Sequence, residues 1–263
     1  MNFTFSDEQI LIRDMAERFF RDDYGLDVRR KHQALPGGFC RDTWARFADM
    51  GWLALGIPED LGGIGGGTVD MAILMEAMGG GLAVEPFLAT VVLGGTLIRD
   101  GARPDIQADL LPRLAAGELH LSFAYSEAQS RYDLNDVRTR AKADGSGFVL
   151  DGAKTVALHA GTADKIAVTA RTSGAERDDG GITVFLIDAD APGLTVTDYP
   201  TVDGLRAGDV ALDGVRVGAV AVLGAVDGGL PLAEAAIDRA AALVSAEAAG
   251  LMAALTRDTV AFL

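Results

Sequence analysis

Few residues of this chain stand at spacings that do chemistry by themselves. The run Gly62-Gly63-Ile64-Gly65-Gly66-Gly67 precedes a helical pattern and could cradle a phosphate on the N–H groups of a helix N-terminus. It lacks what such a cradle needs. No βαβ strand precedes it, Thr68 stands where a dinucleotide fingerprint has its third glycine, and no Gly-Lys-Ser/Thr follows, so it reads as a connector. His32, His120 and His159 are too scattered to suggest a catalytic or metal cluster and read as ordinary surface or partly buried histidines. Cys40 is the single cysteine and has no ligand-type neighbours. Neither an internal disulfide nor a metal site is expected, which fits a reducing cytoplasm. No serine occupies a Gly-x-Ser-x-Gly elbow. The chemistry has to come from residues that the fold assembles.

The elements that would assemble them are read from patterning. The chain has 263 residues, 49% of them apolar, too long and too hydrophobic for a disordered tail or a disulfide-stapled miniprotein. A net charge of −15 repels phosphate, so nucleic acid is not an expected partner. The N-terminus, from Met1-Asn2-Phe3 onward, shows no basic segment leading into an apolar one, and no secretory signal is expected. The stretches Pro86 to Ile98 and Ala240 to Leu255 are too short, or are interrupted by Glu247, for a membrane span.

Ser6-Asp7-Glu8-Gln9 has the form of a capping box, and Ile10, Leu11, Met15, Ala16, Phe19 and Phe20 follow at helical spacing. Further helices are predicted around Trp44 to Met50, over about Val69 to Met78 with three glycines ending it, over Pro86 to Arg99, and from Pro104 to a stop at Gly117. From Leu119 the period changes to two, with strands predicted over Leu119 to Tyr125 and Val137 to Ala143, and at Phe148 to Leu150 after a Gly145-Ser146-Gly147 turn. Ile166 to Ala170, Ile182 to Ile187, Leu194 to Thr197 and Val210 to Val217 complete the set. Strands without intervening helices argue for an antiparallel barrel or sandwich. From Pro231 an alanine-rich helical pattern runs to Leu263 without a stop signal. Its apolar Leu243, Met252, Leu255, Val260 and Phe262 would leave much of that surface in water and need either a partner or more chain to cover them. The expected class is therefore α+β: an all-α domain over 1–118, a β domain over 119–228, and over 229–263 the first helix of a C-terminal helical domain that reads as truncated.

Several strings in this order resemble the acyl-CoA dehydrogenases. They are Phe5-Ser6-Asp7-Glu8-Gln9, Gly51-Trp52-Leu53-Ala54-Leu55-Gly56-Ile57-Pro58-Glu59 with Leu61-Gly62-Gly63, and Leu111-Pro112-Arg113-Leu114-Ala115-Ala116-Gly117-Glu118. In the β segment come Phe123-Ala124-Tyr125-Ser126-Glu127, Asp151-Gly152-Ala153-Lys154, Gly204-Leu205-Arg206 and Val215-Arg216-Val217. The stretch Tyr125 to Asp133 looks most like the small subunit of the pimeloyl-CoA dehydrogenase type, which hints at a dicarboxylic acyl chain.

The resemblance implies a flavoenzyme of fatty or dicarboxylic acid degradation. A carboxylate takes the α-proton of an acyl-CoA thioester while the β-hydride passes to N5 of FAD, and electron-transfer flavoprotein accepts the electrons. It implies flavin contacts at Phe123, Tyr125, Ser126, Val156 and Leu158, and substrate contacts at Arg131 and Tyr132. Phe123 and Tyr125 read equally well as a strand packing pair. The chain departs from the family at these positions. Arg131-Tyr132-Asp133 replaces the usual Gly-Ser-Asp, and Val156 and Leu158 replace an aromatic and a threonine. No catalytic base can be assigned: the resemblance places the family's common catalytic glutamate in a part of the C-terminal domain outside this sequence, and the alternative base position, on the helix beginning near Ala233, corresponds to Ala240. Asp238 and Glu247 are the nearby carboxylates. Arg131, Lys154, Arg206, Arg216 and Arg239 are the cations available for the polyanions FAD and CoA. Two functions are implied: an FAD-dependent acyl-CoA dehydrogenase, or a non-catalytic partner subunit with a degenerate flavin site. Either would act in a homo- or hetero-oligomer with a larger acyl-CoA dehydrogenase subunit.

Overall fold

A computed structural model describes residues 4–263; the N-terminal reading over Met1-Asn2-Phe3 lies outside them. The first helix, α1 (Asp7–Asp22), starts on the expected capping box, with Gln9 N on Ser6 Oγ at 3.2 Å and Ser6 N on Gln9 Oε1 at 3.1 Å. Its Phe19 and Phe20 enter an aromatic core with Tyr24, Phe47 and Trp52. Helix α2 (Leu26–Gln33) was not legible in the sequence, because it is almost wholly polar and buries only His32. It is held from outside: Arg29 Nη2 donates to Asp203 O at 2.6 Å and Gln33 Nε2 to Gly204 O at 3.1 Å. Helix α3 (Arg41–Asp49) follows.

Helix α4 (Thr68–Gly81) runs through all three glycines that were expected to end it. A Cβ at Gly79 would land on the backbone carbonyl of Glu247, so this stretch is a crossing point for another helix, and Leu82 at φ 56° makes the stop. The predicted helix over Pro86 to Arg99 is a π-helix over Leu88–Gly94 that continues into α5 (Gly95–Gly101). It packs on the first strand, where Thr90 Oγ1 bonds both Leu121 N and Leu121 O, and where a Cβ on Gly94 would meet Leu121. Helix α6 (Pro104–Ala115) closes the α region.

The strands are β1 (Leu121–Ala124), β2 (Arg140–Asp144), β3 (Gly147–Leu158), β4 (Lys165–Arg171), β5 (Ile182–Asp188), β6 (Leu194–Pro200), β7 (Arg206–Gly218) and β8 (Val222–Leu223). They form one sheet in the order β6-β7-β3-β2-β4-β5-β8, with β1 on β4. The pairing is mostly antiparallel as expected, except that β1 and β2 each pair β4 in parallel. Strand β2 starts three residues later than predicted, because the N–H groups of Arg138 and Thr139 turn to a buried carboxylate instead of a ladder.

One hydrophobic cluster joins the helices to Leu121 and Phe123 of β1 and Val184 of β5; a second lies within the sheet around Leu150, Ile166, Phe185 and Val210. Helix α7 (Leu230–Phe262) buries Leu230, Ala233, Ala236, Ala240, Leu243 and Gly250, the last against the backbone of Glu76 in α4. Contrary to the sequence expectation, α7 is by length and composition sufficient to cross a bilayer. The face just named packs on protein, while Met252, Leu255, Val260 and Phe262 are exposed.

Candidate functional site

The site starts where β1 ends. Beyond Ala124 the chain turns through Tyr125 and Ser126 to Glu127, whose side chain is buried. The Glu127 carboxylate accepts from Lys154 Nζ at 2.7 Å, Arg138 N at 2.8 Å, Gln129 Nε2 at 2.9 Å and Thr139 N at 3.0 Å. Lys154 Nζ also donates to Thr169 Oγ1 at 2.9 Å. Burial opposes the charge on Glu127, but Lys154 and these donors outweigh it and hold the carboxyl down at about 2. Burial also pulls the Lys154 ammonium down to about 8, against the attraction of Glu127. The two shifts oppose each other in sense, and the short, fully partnered geometry decides for a charged pair at neutral pH. This pair fastens the β1 exit to β3, where Thr155 N donates to Ser126 O at 2.8 Å. Ser126 and Val156 are thereby held side by side.

Val156 sits at a register shift in the β3–β7 ladder, between Lys154 and Ala157, with φ 56°. A β-branched residue in the left-handed region is strained, and its side chain is 52% exposed. Its N–H donates to Asp209 Oδ1 at 3.3 Å, a carboxylate that also takes the Tyr199 hydroxyl. Arg131 is likewise left-handed, at φ 49°.

Both strained residues line a cleft of about 920 Å³ between the sheet and the start of α7. This cleft brings together Tyr125, Ser126, Arg131, Tyr132 and Val156, five of the seven residues singled out in the sequence. Phe123 is not in it; it is buried beneath, its ring 5.1 Å from that of Tyr125, so it packs and supports. Leu158 is not in it either. The register shift separates it from Val156, and it lines a different, narrow pocket. The opposite wall comes from Leu230, Glu234, Ile237 and Asp238 of α7, and Asp133 and Asp179 also line the cleft. Of these only Asp133 and Asp238 had been named in the sequence; helical i, i+4 spacing of Glu234 and Asp238 was the available signal.

The two carboxylates singled out on α7 part company. Nine residues at 3.6 per turn put Asp238 and Glu247 on roughly opposite faces, and Glu247 lines the narrow pocket rather than the cleft. Ala240 is buried. Of the five cations thought available for phosphates, only Arg131 faces the cleft. Lys154 is tied to Glu127, Arg206 to Asp198, Arg216 to Asp144, and Arg239 bonds Thr96.

The lining fits one part of FAD. Tyr125, Val156 and the Ser126 hydroxyl offer an apolar surface with a hydrogen-bonding edge, as a flat ring system requires. A diphosphate does not fit the same lining, where Asp133, Asp179, Glu234 and Asp238 face a single arginine.

The chain matches the description of the acyl-CoA dehydrogenase N-terminal domain over residues 6–118 and of the acyl-CoA dehydrogenase middle domain over 122–215. The chain belongs to the acyl-CoA dehydrogenase family, whose members are flavoprotein oxidoreductases. Among curated relatives, the acyl-CoA dehydrogenase FadE12 of Mycobacterium tuberculosis is 27% identical over 232 residues, which is 87% of this chain and 58% of that protein. The chain thus spans little more than half the length of that relative. Among solved structures, the Tcur3481-Tcur3483 steroid ACAD superposes with a TM-score of 0.87 at 26% identity, covering 100% of this chain and 68% of that one. Butyryl-CoA dehydrogenase of Megasphaera elsdenii shares the fold, with a TM-score of 0.90 at 22% identity over 99% of this chain and 70% of that one.

Proposed function

We propose that the chain acts in the α,β-dehydrogenation of an acyl-CoA thioester and supplies the sheet side of an FAD site. The observation that carries this reading is the gathering of Tyr125, Ser126, Arg131, Tyr132 and Val156 at one cleft closed by α7. FAD bound there supplies the hydride acceptor. The chain's own residues give the ring an apolar face at Tyr125 and Val156, a hydrogen bond from the Ser126 hydroxyl, and a rigid base in the Glu127–Lys154 pair beneath. Arg131 and Tyr132, which line the same cleft, would meet the entering thioester. No side chain of the cleft is assigned as the base.

The acidic lining carries a consequence for assembly. The flavin diphosphate needs positive charge from outside this cleft, so the working unit is an oligomer with another acyl-CoA dehydrogenase subunit, passing electrons to electron-transfer flavoprotein in the cytoplasm. The same four carboxylates, with Arg131 and Tyr132 in place of small residues, favour the second reading, in which this chain completes a heteromeric enzyme without turning over substrate itself. Visible flavin absorbance separates the two. The first reading expects a yellow protein from the chain purified alone. A colourless chain that turns yellow only when a larger subunit is co-expressed supports the second. Absence of flavin in both preparations contradicts the proposal. Ser126→Ala is expected to weaken flavin binding about five- to tenfold in whichever preparation is yellow, the worth of one hydrogen bond.

A further inference from the structure

The narrow pocket that holds Leu158 is built of unlike parts. Most of its wall is apolar, from Met75, Met78, Phe87 and Leu158. It holds about 40 Å³, room for about three water-sized groups. Three polar residues also line it. Glu85 is fully engaged, taking the Tyr24 hydroxyl at 2.7 Å and pairing with His32 Nδ1 at 2.9 Å. The other two are not engaged. Both ring nitrogens of His159, a residue only 4% exposed, are buried without a hydrogen-bond partner among the described residues. Its backbone is left-handed at φ 53°. The partly buried carboxylate of Glu247 is also without a hydrogen bond or ion pair among the described residues.

A buried polar atom with no partner costs free energy, and one that persists in a strained residue beside a cavity points to something the cavity takes in. Burial lowers the His159 pKa to about 4, so at neutral pH the ring offers one N–H donor and one acceptor and suits an uncharged group. Burial raises the Glu247 carboxyl. With Glu85 beside it, the pocket repels a second carboxylate and welcomes a hydroxyl, which can donate as well as accept. Val156 of β3 lines the cleft and Leu158 the pocket, about 7 Å apart along the strand.

We infer that this pocket receives the end of a short acyl chain and that His159, with Glu247, selects a terminal hydroxyl over a methyl or a carboxylate. The inference rests on the acyl-CoA reading above and reverses one implication of the sequence resemblance, that of a dicarboxylic substrate. His159 and Glu247 are thus specificity-determining residues.

The test measures dissociation constants by calorimetry on the flavin-loaded protein for three four-carbon CoA thioesters: butyryl, its ω-hydroxy analogue, and succinyl. The hydroxy analogue is expected to bind about tenfold tighter than butyryl, the gain from one buried hydrogen bond, and succinyl is expected to bind most weakly. In His159→Leu the hydroxy-to-butyryl ratio falls to near one; His159→Asn, which tolerates the left-handed backbone and keeps a donor and an acceptor, recovers part of it. Glu247→Gln, on a helix face that does not depend on the carboxylate for folding, raises succinyl affinity toward that of butyryl. Equal binding of butyryl and its hydroxy analogue overturns the inference and leaves the acyl-CoA reading standing. So does a ratio that His159→Leu does not move, or succinyl binding as tight as that of the hydroxy analogue. Failure of all three thioesters to bind overturns the acyl-CoA reading and this inference with it.

Discussion

Glu127→Ala is expected to destabilise the β domain by about 3–5 kcal/mol, because it leaves the Lys154 ammonium buried without its partner. The loss reaches beyond the pair. The same carboxylate takes the N–H groups of Arg138 and Thr139, which have no ladder partner before β2 begins, and it anchors the β1 exit that carries Tyr125 and Ser126. Exchanging both members for apolar residues of similar volume, Glu127→Leu with Lys154→Met, is expected to cost less than the single change, since no charge is then stranded. Urea denaturation of the two variants beside the native protein measures this order. The pair also predicts a pH dependence. Glu127 titrates at about 2 in the folded chain against an ordinary 4.5, so the unfolded chain binds its proton first as the pH falls. The stabilisation, about 3 kcal/mol, is present above pH 4.5 and is lost as the pH drops from about 4.5 toward 2. A midpoint whose fall across that window is no steeper in the native protein than in the Glu127→Leu/Lys154→Met variant would contradict this.

A methyl group at the crossing of α4 and α7 is expected to have a comparable effect by a different route. A Cβ at Gly79 would land on the carbonyl of Glu247, and one at Gly250 on the carbonyl of Glu76. Both obstacles are backbone, so no rotamer change relieves them and the helices must separate. Gly79→Ala and Gly250→Ala should each cost about 1–3 kcal/mol or more, and the double variant less than their sum, because one separation relieves both. Gly180→Ala is the control: it lies in a loop, nothing among the described residues lies within 4 Å of its added Cβ, and the backbone needs no left-handed conformation. The crossing also sets the far wall of the cleft, since Leu230, Glu234, Ile237 and Asp238 all belong to α7. The two crossing variants should therefore lose flavin affinity as well as thermal stability, while the control keeps both.

What the sequence made legible follows from where the information is stored. Strong local patterns were readable: the Ser6–Gln9 cap, the change of period at Leu119 and the alanine-rich helix after Pro231 all correspond to real elements. Helix α2 was not, because its stability comes from Arg29 and Gln33 reaching the loop at Asp203–Gly204 rather than from an apolar face. The three glycines after Met78 looked like a stop and are a helix crossing; which role a glycine plays depends on a partner helix more than 160 residues away. Five of the residues that the resemblance pointed to, Tyr125, Ser126, Arg131, Tyr132 and Val156, share one cleft. The separation of Leu158 from Val156 was not legible, since a register shift in β3 has no signature in side-chain alternation. Nor was the burial of all three histidines, or the meeting of His120 and His159 around Phe39, which depends on the loop between α2 and α3 lying against Thr162 and Arg206. Lys154 was counted as a cation for phosphate and is instead half of a buried pair.

The cleft between the sheet and α7 is proposed as the flavin side of the molecule, with Val156 at a position that resembles the family's flavin-facing aromatic. FAD titration of Val156→Trp, followed by quenching of flavin fluorescence in the preparation that binds FAD, tests it most directly. The account predicts about tenfold tighter FAD binding than in the native protein, the gain from one ring stacked on an aromatic side chain, because Val156 already presents its exposed face to the cleft. Unchanged or weaker FAD binding by a variant that unfolds at the native midpoint would contradict it.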